Sequence, residues 1–174
     1  MADTPFSLET ERSEDAAAIE MLHETAFGPG RYARAAFRLR EGVDAVDGLS
    51  FAAWTHERGP EGGERRLIGS IRFAPVELAG QRGLMLGPLV VDPEWKGRGV
   101  GLGLMRLALA RARELGHRWA ILVGDAPYYA RVGFVRVEPG RIRLPAPVDP
   151  ARLLVLELEP GALDGAAGVL APAH

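Results

Sequence analysis

Residues 84–124 read LMLGPLVVDPEWKGRGVGLGLMRLALARARELGHRWAILVG, and the hydrophobic pattern changes twice along this stretch. The run at 83–91 is apolar throughout, which is typical of a strand that is covered on both faces. Across 100–115 apolar residues recur every three or four positions, which predicts a helix that stops at Gly116. A second apolar run at 118–124 predicts another buried strand. The stretch therefore predicts one right-handed β-α-β unit whose first strand lies in mid-sheet.

The segment that joins the first strand to the helix is rich in glycine and carries two cations, Lys96 and Arg98. Its spacing excludes the dinucleotide fingerprint, because the positions three beyond Gly99 and Gly101 are leucines. It also excludes a P-loop, in which a lysine follows glycine and precedes serine or threonine. A tight strand-to-helix connection still presents the free N–H groups and the positive dipole end of the helix, which favour an anion. The loop thus predicts either an anion site or a turn with solvated cations, and its spacing alone leaves both open.

The flanking regions predict further strands and helices around this unit. Two strands joined by RGPEGGE predict an antiparallel hairpin, in which Pro75 favours a bulge or an edge position. Asp125 is predicted to cap a single helical turn that ends at Gly133. There is no internal repeat and no long linker, so we expect one domain over 1–174 whose low-complexity tail, about 160–174, is loosely packed. The predicted strands are 6–12, 49–57, 65–78, 134–138 and 151–159, and the predicted helices are 13–27 and 31–42.

The composition, with 47% hydrophobic and 25% charged residues, is that of a soluble globular protein. A net charge of −2 provides no overall field that would attract nucleic acid or an anionic membrane. There is no cysteine, which excludes disulfides, thiolate nucleophiles and cysteine-ligated zinc. No run approaches the roughly 20 apolar residues of a membrane span, and the N-terminus lacks a signal-peptide pattern. We therefore expect a cytoplasmic protein without nucleic-acid or membrane partners.

The segment 86–134 resembles the acetyl-CoA binding core of the GNAT superfamily of N-acetyltransferases, in the form of a bacterial, broadly uncharacterised subgroup. The family motif, Gln/Arg-x-x-Gly-x-Gly/Ala between a central strand and a helix, here reads KGRGVG at 96–101, with lysine in the first position. A second signature places a tyrosine four residues before a Gly-Phe pair, as Tyr129 stands before Gly133–Phe134. The resemblance implies the α/β acyl-CoA N-acyltransferase fold. In that fold a mixed, mostly antiparallel twisted sheet is flanked by helices and has a V-shaped splay, here at the strand 84–91.

The resemblance also implies roles for individual residues. The backbone of Leu89, Val90 and Val91 would run along the pantetheine arm of acetyl-CoA. The amide near Val90 would hold the oxyanion formed when an amine attacks the thioester. Tyr129 would protonate the departing thiolate, whereas its neighbour Tyr128 is interpreted as a packing residue. The implied cofactor-binding residues are Leu89, Val90, Val91, Lys96, Gly97, Arg98, Gly99, Val100, Gly101 and Leu102.

The acceptor side is less well defined by the sequence. The two helices at 14–42 would border it in this fold, with Phe27 and Tyr32 as its walls. Three arginines on the second helix are either a solvated face or the recognition site of a carboxylated acceptor. These arginines are Arg31, Arg34 and Arg38. The general base stays open among His23, Glu24, His56, Glu77 and a water chain.

The sequence therefore predicts an acetyl-CoA-dependent N-acetyltransferase that uses no metal. Acetyl-CoA would be the co-substrate, and the acetyl group would pass by direct attack to a primary amine of a small molecule or peptide. The alternative is a catalytically silent acyl-CoA-binding sensor or regulatory module of the same fold. The identity of the acceptor, the preferred acyl chain and the presence of a homodimer stay open.

Overall fold

The structure is a computed structural model that describes residues 5–27, 35–56 and 65–174, with the side chains of 27 and 35–37 left aside. Its strands are β1 (Phe6–Thr10), β2 (Phe51–Thr55), β3 (Leu67–Leu78), β4 (Gln81–Val91), β5 (Trp119–Val123), β6 (Val135–Arg136), β7 (Ile142–Arg143), β8 (Leu153–Glu157), β9 (Gly168–Val169) and β10 (Ala171–Pro172). Within the described residues eight of these strands form one sheet in the order β1-β2-β3-β4-β5-β8-β6, with β10 paired to β3. Every neighbouring pair in it is antiparallel except β4 and β5. This confirms the predicted mixed, mostly antiparallel sheet. The helices are α1 (Ala16–Phe27), α2 (Ala35–Arg40), α3 (Val100–Glu114) and α4 (Ala126–Ala130).

The predicted β-α-β unit is confirmed as β4, α3 and β5, with boundaries that differ from the prediction by one or two residues. Its helix forms because one apolar stripe is buried against the sheet, as the helical period requires. Val100, Leu104, Ala108 and Ala112 on that stripe are all at most 1% exposed. The parallel pairing of β4 and β5 follows from the crossover through α3.

Helices and the C-terminal segment cover the two faces of the sheet unequally. Side chains of α3 pack on one face. On the other face α1 packs through Ile19 and Leu22, while α2 packs through Leu39. No helix in the described part of the chain is long and apolar enough to cross a membrane.

The predicted loose packing of the tail, 160–174, is wrong. Leu163 and Leu170 are almost fully buried in the same cluster as Leu39. The tail also forms β9, which pairs with β7, and β10, which pairs with β3. Arg141 fixes it further by donating hydrogen bonds to the carbonyl oxygens of Ala166 and Leu163. The few leucines among alanine and glycine are enough to cover the sheet, because each of them is buried.

The longest hairpin of the sheet, β3–β4, was not predicted. Its two-residue turn consists of Ala79 and Gly80, both with positive φ (51° and 78°). This is the conformation of a type I′ turn, for which the usual signal is Asn-Gly or Asp-Gly. The predicted RGPEGGE turn at 58–64, and the predicted helix 31–42 before residue 35, lie outside the described residues.

Candidate active site

The sheet opens between β4 and β5. The two strands pair at only two positions, and the pairing ends at Met85 and Ile121. There the register of β4 against β3 shifts, so that Gly87 and Pro88 lie opposite the single residue Arg72. This bulge bends β4 away from β5, as bulges do. The predicted V-shaped splay is therefore present, at the C-terminal half of β4.

The backbone groups of β4 that face the opening are those of Leu89 and Val91. The Asp92 N–H donates to the Ile68 carbonyl on β3 at 2.8 Å. Alternate amides of a strand point the same way, so the amide of Val90 also points towards β3. The amides of Leu89 and Val91 point the other way, into the opening. The amide of Val90, predicted to bind the oxyanion, therefore points away from the opening, and the amides that face the opening are those of its two neighbours.

The glycine-rich loop ends in a left-handed residue at the start of α3. Gly99 is the N-cap of the helix, with φ 87° and ψ 4°, and its carbonyl accepts from the Gly103 N–H at 2.9 Å. A Cβ on Gly99 would have no heavy atom within 4 Å. The loop backbone is thus open on this side, where the first N–H groups of α3 lack partners inside the helix. This geometry suits an anion.

The loop is anchored to the sheet through Asp92, which is 7% exposed. One carboxylate oxygen accepts from the Glu94 N–H at 2.9 Å, and the other accepts from the Arg66 guanidinium at 2.5 Å. Asp92 thereby caps the short 3-10 turn Pro93–Trp95 that leads into the glycines. The loop conformation is held before any ligand arrives.

Three cations lie near the loop, and they have different surroundings. Lys96 lines the pocket between the loop and α4. Arg98, predicted alongside it, is stacked on the ring of Trp95, with 4.8 Å between its guanidinium carbon and the ring centroid. Arg131 lines the pocket from the end of α4 and was missed by sequence reasoning. The sequence could have indicated Arg131, because it stands three residues after Tyr128 and residues at this spacing lie on the same side of a helix.

Two tyrosines of α4 form the wall opposite the loop. The rings of Tyr128 and Tyr129 meet edge to face at 5.1 Å, and Tyr129 also meets Phe134 at 6.1 Å. The Tyr128 hydroxyl would lie 2.1 Å from a Cβ on Gly101, so it closes on the first turn of α3. Likewise Gly124 lacks the Cβ that would collide with the Tyr129 ring at 2.3 Å. Glycines on both sides allow the two rings to fit.

Burial changes the acidity of both tyrosines. Burial, reinforced by the neighbouring Tyr128, raises the pKa of Tyr129 to about 12 from an ordinary value of 10. Burial also raises the pKa of Tyr128, and the charge of Arg131 opposes that effect. Both hydroxyls therefore stay protonated at neutral pH and can donate hydrogen bonds.

These elements enclose one pocket of about 600 Å³, which brings most of the predicted site together. Val90 and Arg98 are the predicted residues that do not line it. Val90 instead packs under α1 with Ile19 and Leu22. Trp95 is an added wall residue that the sequence did not indicate. The predicted residues that do line the pocket are Leu89, Val91, Lys96, Gly97, Gly99, Val100, Gly101, Leu102 and Tyr129, and Tyr128 joins them.

The candidate bases do not come to this pocket. Glu24, His56 and Glu77 are exposed at other places, and Glu77 lies beside the tail strand β10. His23 is buried on α1, on the opposite face from α3. Among the predicted acceptor residues, Arg38 is exposed on α2. Arg31, Tyr32, Arg34 and the side chain of Phe27 lie outside the described residues.

Comparison with known proteins identifies the family. Residues 53–136 match the family model "Acetyltransferase (GNAT) domain". The chain is 31% identical over 133 residues to the Escherichia coli protein YjhQ, an N-acetyltransferase called uncharacterised, covering 74% of this chain and 69% of YjhQ. It is 28% identical over 158 residues to E. coli YhbS, likewise called an uncharacterised N-acetyltransferase, covering 90% and 89%.

Two solved structures of similar proteins contain CoA or acetyl-CoA. The crystal structure of E. coli YhbS in complex with CoA aligns with a TM-score of 0.79 over 99% of this chain and 92% of that one, at 26% identity. A GNAT acetyltransferase from Brucella melitensis in complex with acetyl-CoA aligns with a TM-score of 0.63 over 90% of each chain, at 28% identity. The opened strand, the glycine loop before α3 and these matches agree, and the chain belongs to the GNAT family of acetyltransferases.

Proposed function

We propose that the protein is an acetyl-CoA-dependent N-acetyltransferase whose acceptor is a primary amine of a small molecule or peptide. The observation that carries the proposal is the single pocket that joins the glycine loop, the opened edge of β4 and Tyr129. Diphosphate binding, thioester binding and proton donation would all occur within it. Similar proteins that bind CoA or acetyl-CoA support the choice of co-substrate.

The pocket residues fit the chemical parts of acetyl-CoA. In this proposal the amides of the loop and Lys96 bind the diphosphate, because a helix N-terminus and a cation both favour that charge. The N–H groups of Leu89 and Val91 bind the pantetheine arm and the thioester carbonyl. Arg131, on the opposite wall, adds a second positive charge at the phosphate end. The side chains of Leu89 and Val91 supply apolar contacts.

The reaction follows from this arrangement. The amine nitrogen attacks the thioester carbon, an N–C bond forms, the C–S bond breaks and CoA leaves as a thiolate. An N–H group of β4 stabilises the oxyanion formed on the way, an effect worth about 3 kcal/mol per donor in other enzymes. The proton that the nitrogen loses passes through water and ends on the CoA sulfur, so the products are an acetamide and CoA.

Tyr129 acts on the sulfur in this proposal. A phenol whose pKa is about 12 remains protonated, so a donor is always available. Complete proton transfer to a thiolate of ordinary pKa about 8.5 would cost about 5 kcal/mol. We therefore assign Tyr129 a hydrogen bond that stabilises the leaving thiolate until the proton arrives. The other tyrosine of this pocket, Tyr128, is not assigned this role, because its hydroxyl lies against Gly101.

The acceptor would approach from the sheet face that carries α1 and α2. The α3 face is taken by the pocket proposed for acetyl-CoA, and β4 and β5 are no longer paired beyond Met85 and Ile121. A second pocket, of about 430 Å³, lies on the α2 face and is lined by the proline-rich segment 137–150. We propose that it holds the part of the acceptor beyond the amine.

The test has two steps. Calorimetry with CoA measures binding, and a thiol-reactive chromophore then measures CoA release across a panel of primary amines. Because the chain has no cysteine, the chromophore reads only the released CoA. Amine-dependent release with formation of an N-acetyl product supports the proposal. Binding of CoA without turnover would indicate a silent acyl-CoA-binding module, and no binding of CoA would refute both.

A further inference from the structure

The pocket of about 430 Å³ on the α2 face has mostly apolar walls. Two charged residues, Glu138 and Arg143, also line it; both are exposed and their signs are opposite, so the lining has no net charge to select a charged occupant. Among the described residues that line the pocket there is no serine, threonine, asparagine, glutamine, histidine, tyrosine or tryptophan. The pocket thus offers contact area to an apolar group, but no neutral side chain that would bind a hydroxyl. Its aliphatic walls are Val137, Ile142, Leu144, Val148 and Leu153.

Prolines form much of the remaining wall. A proline presents an apolar ring and has no backbone N–H, so each one removes a hydrogen-bond donor from the lining. A buried hydroxyl that finds no partner is unfavourable, whereas an apolar group that leaves water is favourable. These walls therefore disfavour a sugar-like occupant and favour an aromatic or branched aliphatic one. The prolines are Pro139, Pro145, Pro147 and Pro150.

Both ends of the segment that forms the pocket are fixed. At one end the Val137 N–H donates to the Leu153 carbonyl at 3.0 Å. At the other end Asp149 accepts from the Ala151 N–H at 2.9 Å and caps the short turn Pro150–Arg152. Between them β7 pairs with β9. The walls are therefore held in place by the fold, and a preformed site loses less free energy when it binds a ligand.

The pocket lies beside the opening of the sheet. Its wall residue Leu153 pairs with Val123 at the end of β5. The pairing of β5 with β4 ends at Ile121, two residues earlier, which is about 7 Å along the strand. Leu153 also belongs to the same buried cluster as Ile121 and Met85, the last paired residues of the two strands. The inner wall of the pocket thus stands on the part of β5 from which β4 has separated.

We propose that the acceptor is a primary amine that carries an aromatic or branched aliphatic group, and that this group occupies the pocket. The inference rests on the proposed function and names the substrate class of its site. The amine would reach the thioester at the opening while its apolar group remains between the proline-rich segment and Leu153. Polyhydroxylated amines are poor acceptors in this proposal, because their hydroxyls would lose water without gaining partners.

The experiment compares matched amines with acetyl-CoA as co-substrate. The apolar members are 3-methylbutylamine, cyclohexylmethylamine and 2-phenylethylamine, and the reference amines are ethylamine, 2-(2-aminoethoxy)ethanol and glucosamine. The tripeptides leucylglycylglycine and triglycine form a further pair, which distinguishes a small acceptor from the first residue of a peptide. We expect kcat/KM, measured by CoA release, to be about tenfold or more higher for apolar members in at least one arm, as when a leucine-sized group leaves water.

Variants assign the preference to the pocket. A146F places a ring in the pocket and should remove the preference, whereas A151F should keep it, because Ala151 is exposed and does not line the pocket. V148A shortens a wall and should reduce the preference, whereas V135A should keep it, since Val135 is 62% exposed outside the pocket. Thermal unfolding and CoA affinity verify the fold of each variant, and V148A provides the test if A146F does not fold.

Two kinds of failure are distinguishable. Turnover of ethylamine or triglycine at the same kcat/KM as their apolar partners would overturn the inference and leave the proposed function intact. A preference for apolar members that is unchanged in both A146F and V148A would also overturn it, since the apolar group would then bind elsewhere. Binding of CoA without turnover of any amine would instead refute the proposed function, and the inference with it.

Discussion

The hydroxyl group of Tyr129 is the donor on which the proposed chemistry depends. Tyr129→Phe keeps the ring contacts with Tyr128 and Phe134, so CoA affinity and melting temperature should hardly change. The turnover rate should fall by about 10²-fold, the usual effect of losing one hydrogen-bond donor to a developing negative charge. Single-turnover kinetics with an identified acceptor would measure it, which separates chemistry from product release. Tyr128→Phe is the matched variant, and a larger loss there would show that Tyr128 is the hydrogen-bond donor to the thiolate.

The raised pKa of Tyr129 also makes a prediction about stability at high pH. The unfolded chain releases this proton near pH 10 and the folded protein near pH 12. Between these values the unfolded state binds fewer protons, so stability falls as the pH rises, while below pH 10 the contribution is intact. Relative to Tyr129→Phe, the wild type should lose about 2 kcal/mol by pH 12. Urea unfolding of both proteins from pH 8 to 12 would show parallel curves if the tyrosine is instead solvated.

The two loop cations should contribute differently to CoA binding. Lys96 lines the pocket, whereas Arg98 is stacked on Trp95. Lys96→Ala should weaken CoA binding about fivefold, a modest effect because the side chain is exposed. The remaining affinity should depend less on salt, since one ion contact fewer is screened. Arg98→Ala should bind CoA like the wild type. Calorimetry at two salt concentrations would measure the CoA affinity of both variants. Equal losses of affinity would show that stacking on Trp95 does not keep Arg98 from contributing to CoA binding.

Individual side chains of the site were predictable wherever a motif fixed their role. The loop glycines and Tyr129 follow from spacing, and the structure brings them into one pocket. The direction of the Val90 amide was not predictable, because it depends on the hydrogen-bonding register of β4 against β3. A shift by one residue reverses every amide and side chain of a strand.

At the scale of elements, the β4–α3 connection depends on the left-handed conformation of Gly99. Asparagine tolerates this conformation, whereas valine would be strained. In Gly99→Asn the new side chain would extend from a residue that lines the pocket, and its Cβ would have no heavy atom within 4 Å. CoA affinity should therefore fall about tenfold or more, because hydrogen bonds to a charged group are lost. Gly80→Asn is the matched control, since it has a similar φ of 78° and open surroundings in the β3–β4 turn. Equal affinities of the two variants would place the diphosphate elsewhere.

The β-α-β unit was predictable because its apolar patterns have the periods of the elements they form. The β3–β4 turn was not, since Ala79 is a rare residue for positive φ and tertiary pairing of two long strands imposes the conformation. The short strands β7, β9 and β10 have two residues each, too few for any period. Elements of this length exist only because a partner supplies their hydrogen bonds.

At the scale of the whole molecule, the tail closes the sheet face opposite α3. It covers Met85, Trp119 and Ile121 of the two central strands, which would otherwise meet water beside α2. Its composition resembles a flexible segment, because low complexity and many small residues hide the spacing of the buried ones. The central strands bear the active-site opening at one end, so the tail stabilises the strands that define the site.

The packing of the tail predicts a large cost for removing one buried side chain. Leu170 is 1% exposed, and Leu170→Ala should lower the free energy of unfolding by about 2–5 kcal/mol through lost burial and the cavity left behind. Val169→Ala is the control on the adjacent residue, which is 55% exposed, and should change stability by less than about 0.5 kcal/mol. Urea unfolding would measure both. CoA affinity of the folded Leu170→Ala protein should be unchanged, because the pocket lies on the other face of the sheet. Equal stabilities of the two variants would mean that the tail does not pack on the sheet in solution, and a loss of CoA affinity in Leu170→Ala alone would mean that the tail positions β4 and β5 at their opening.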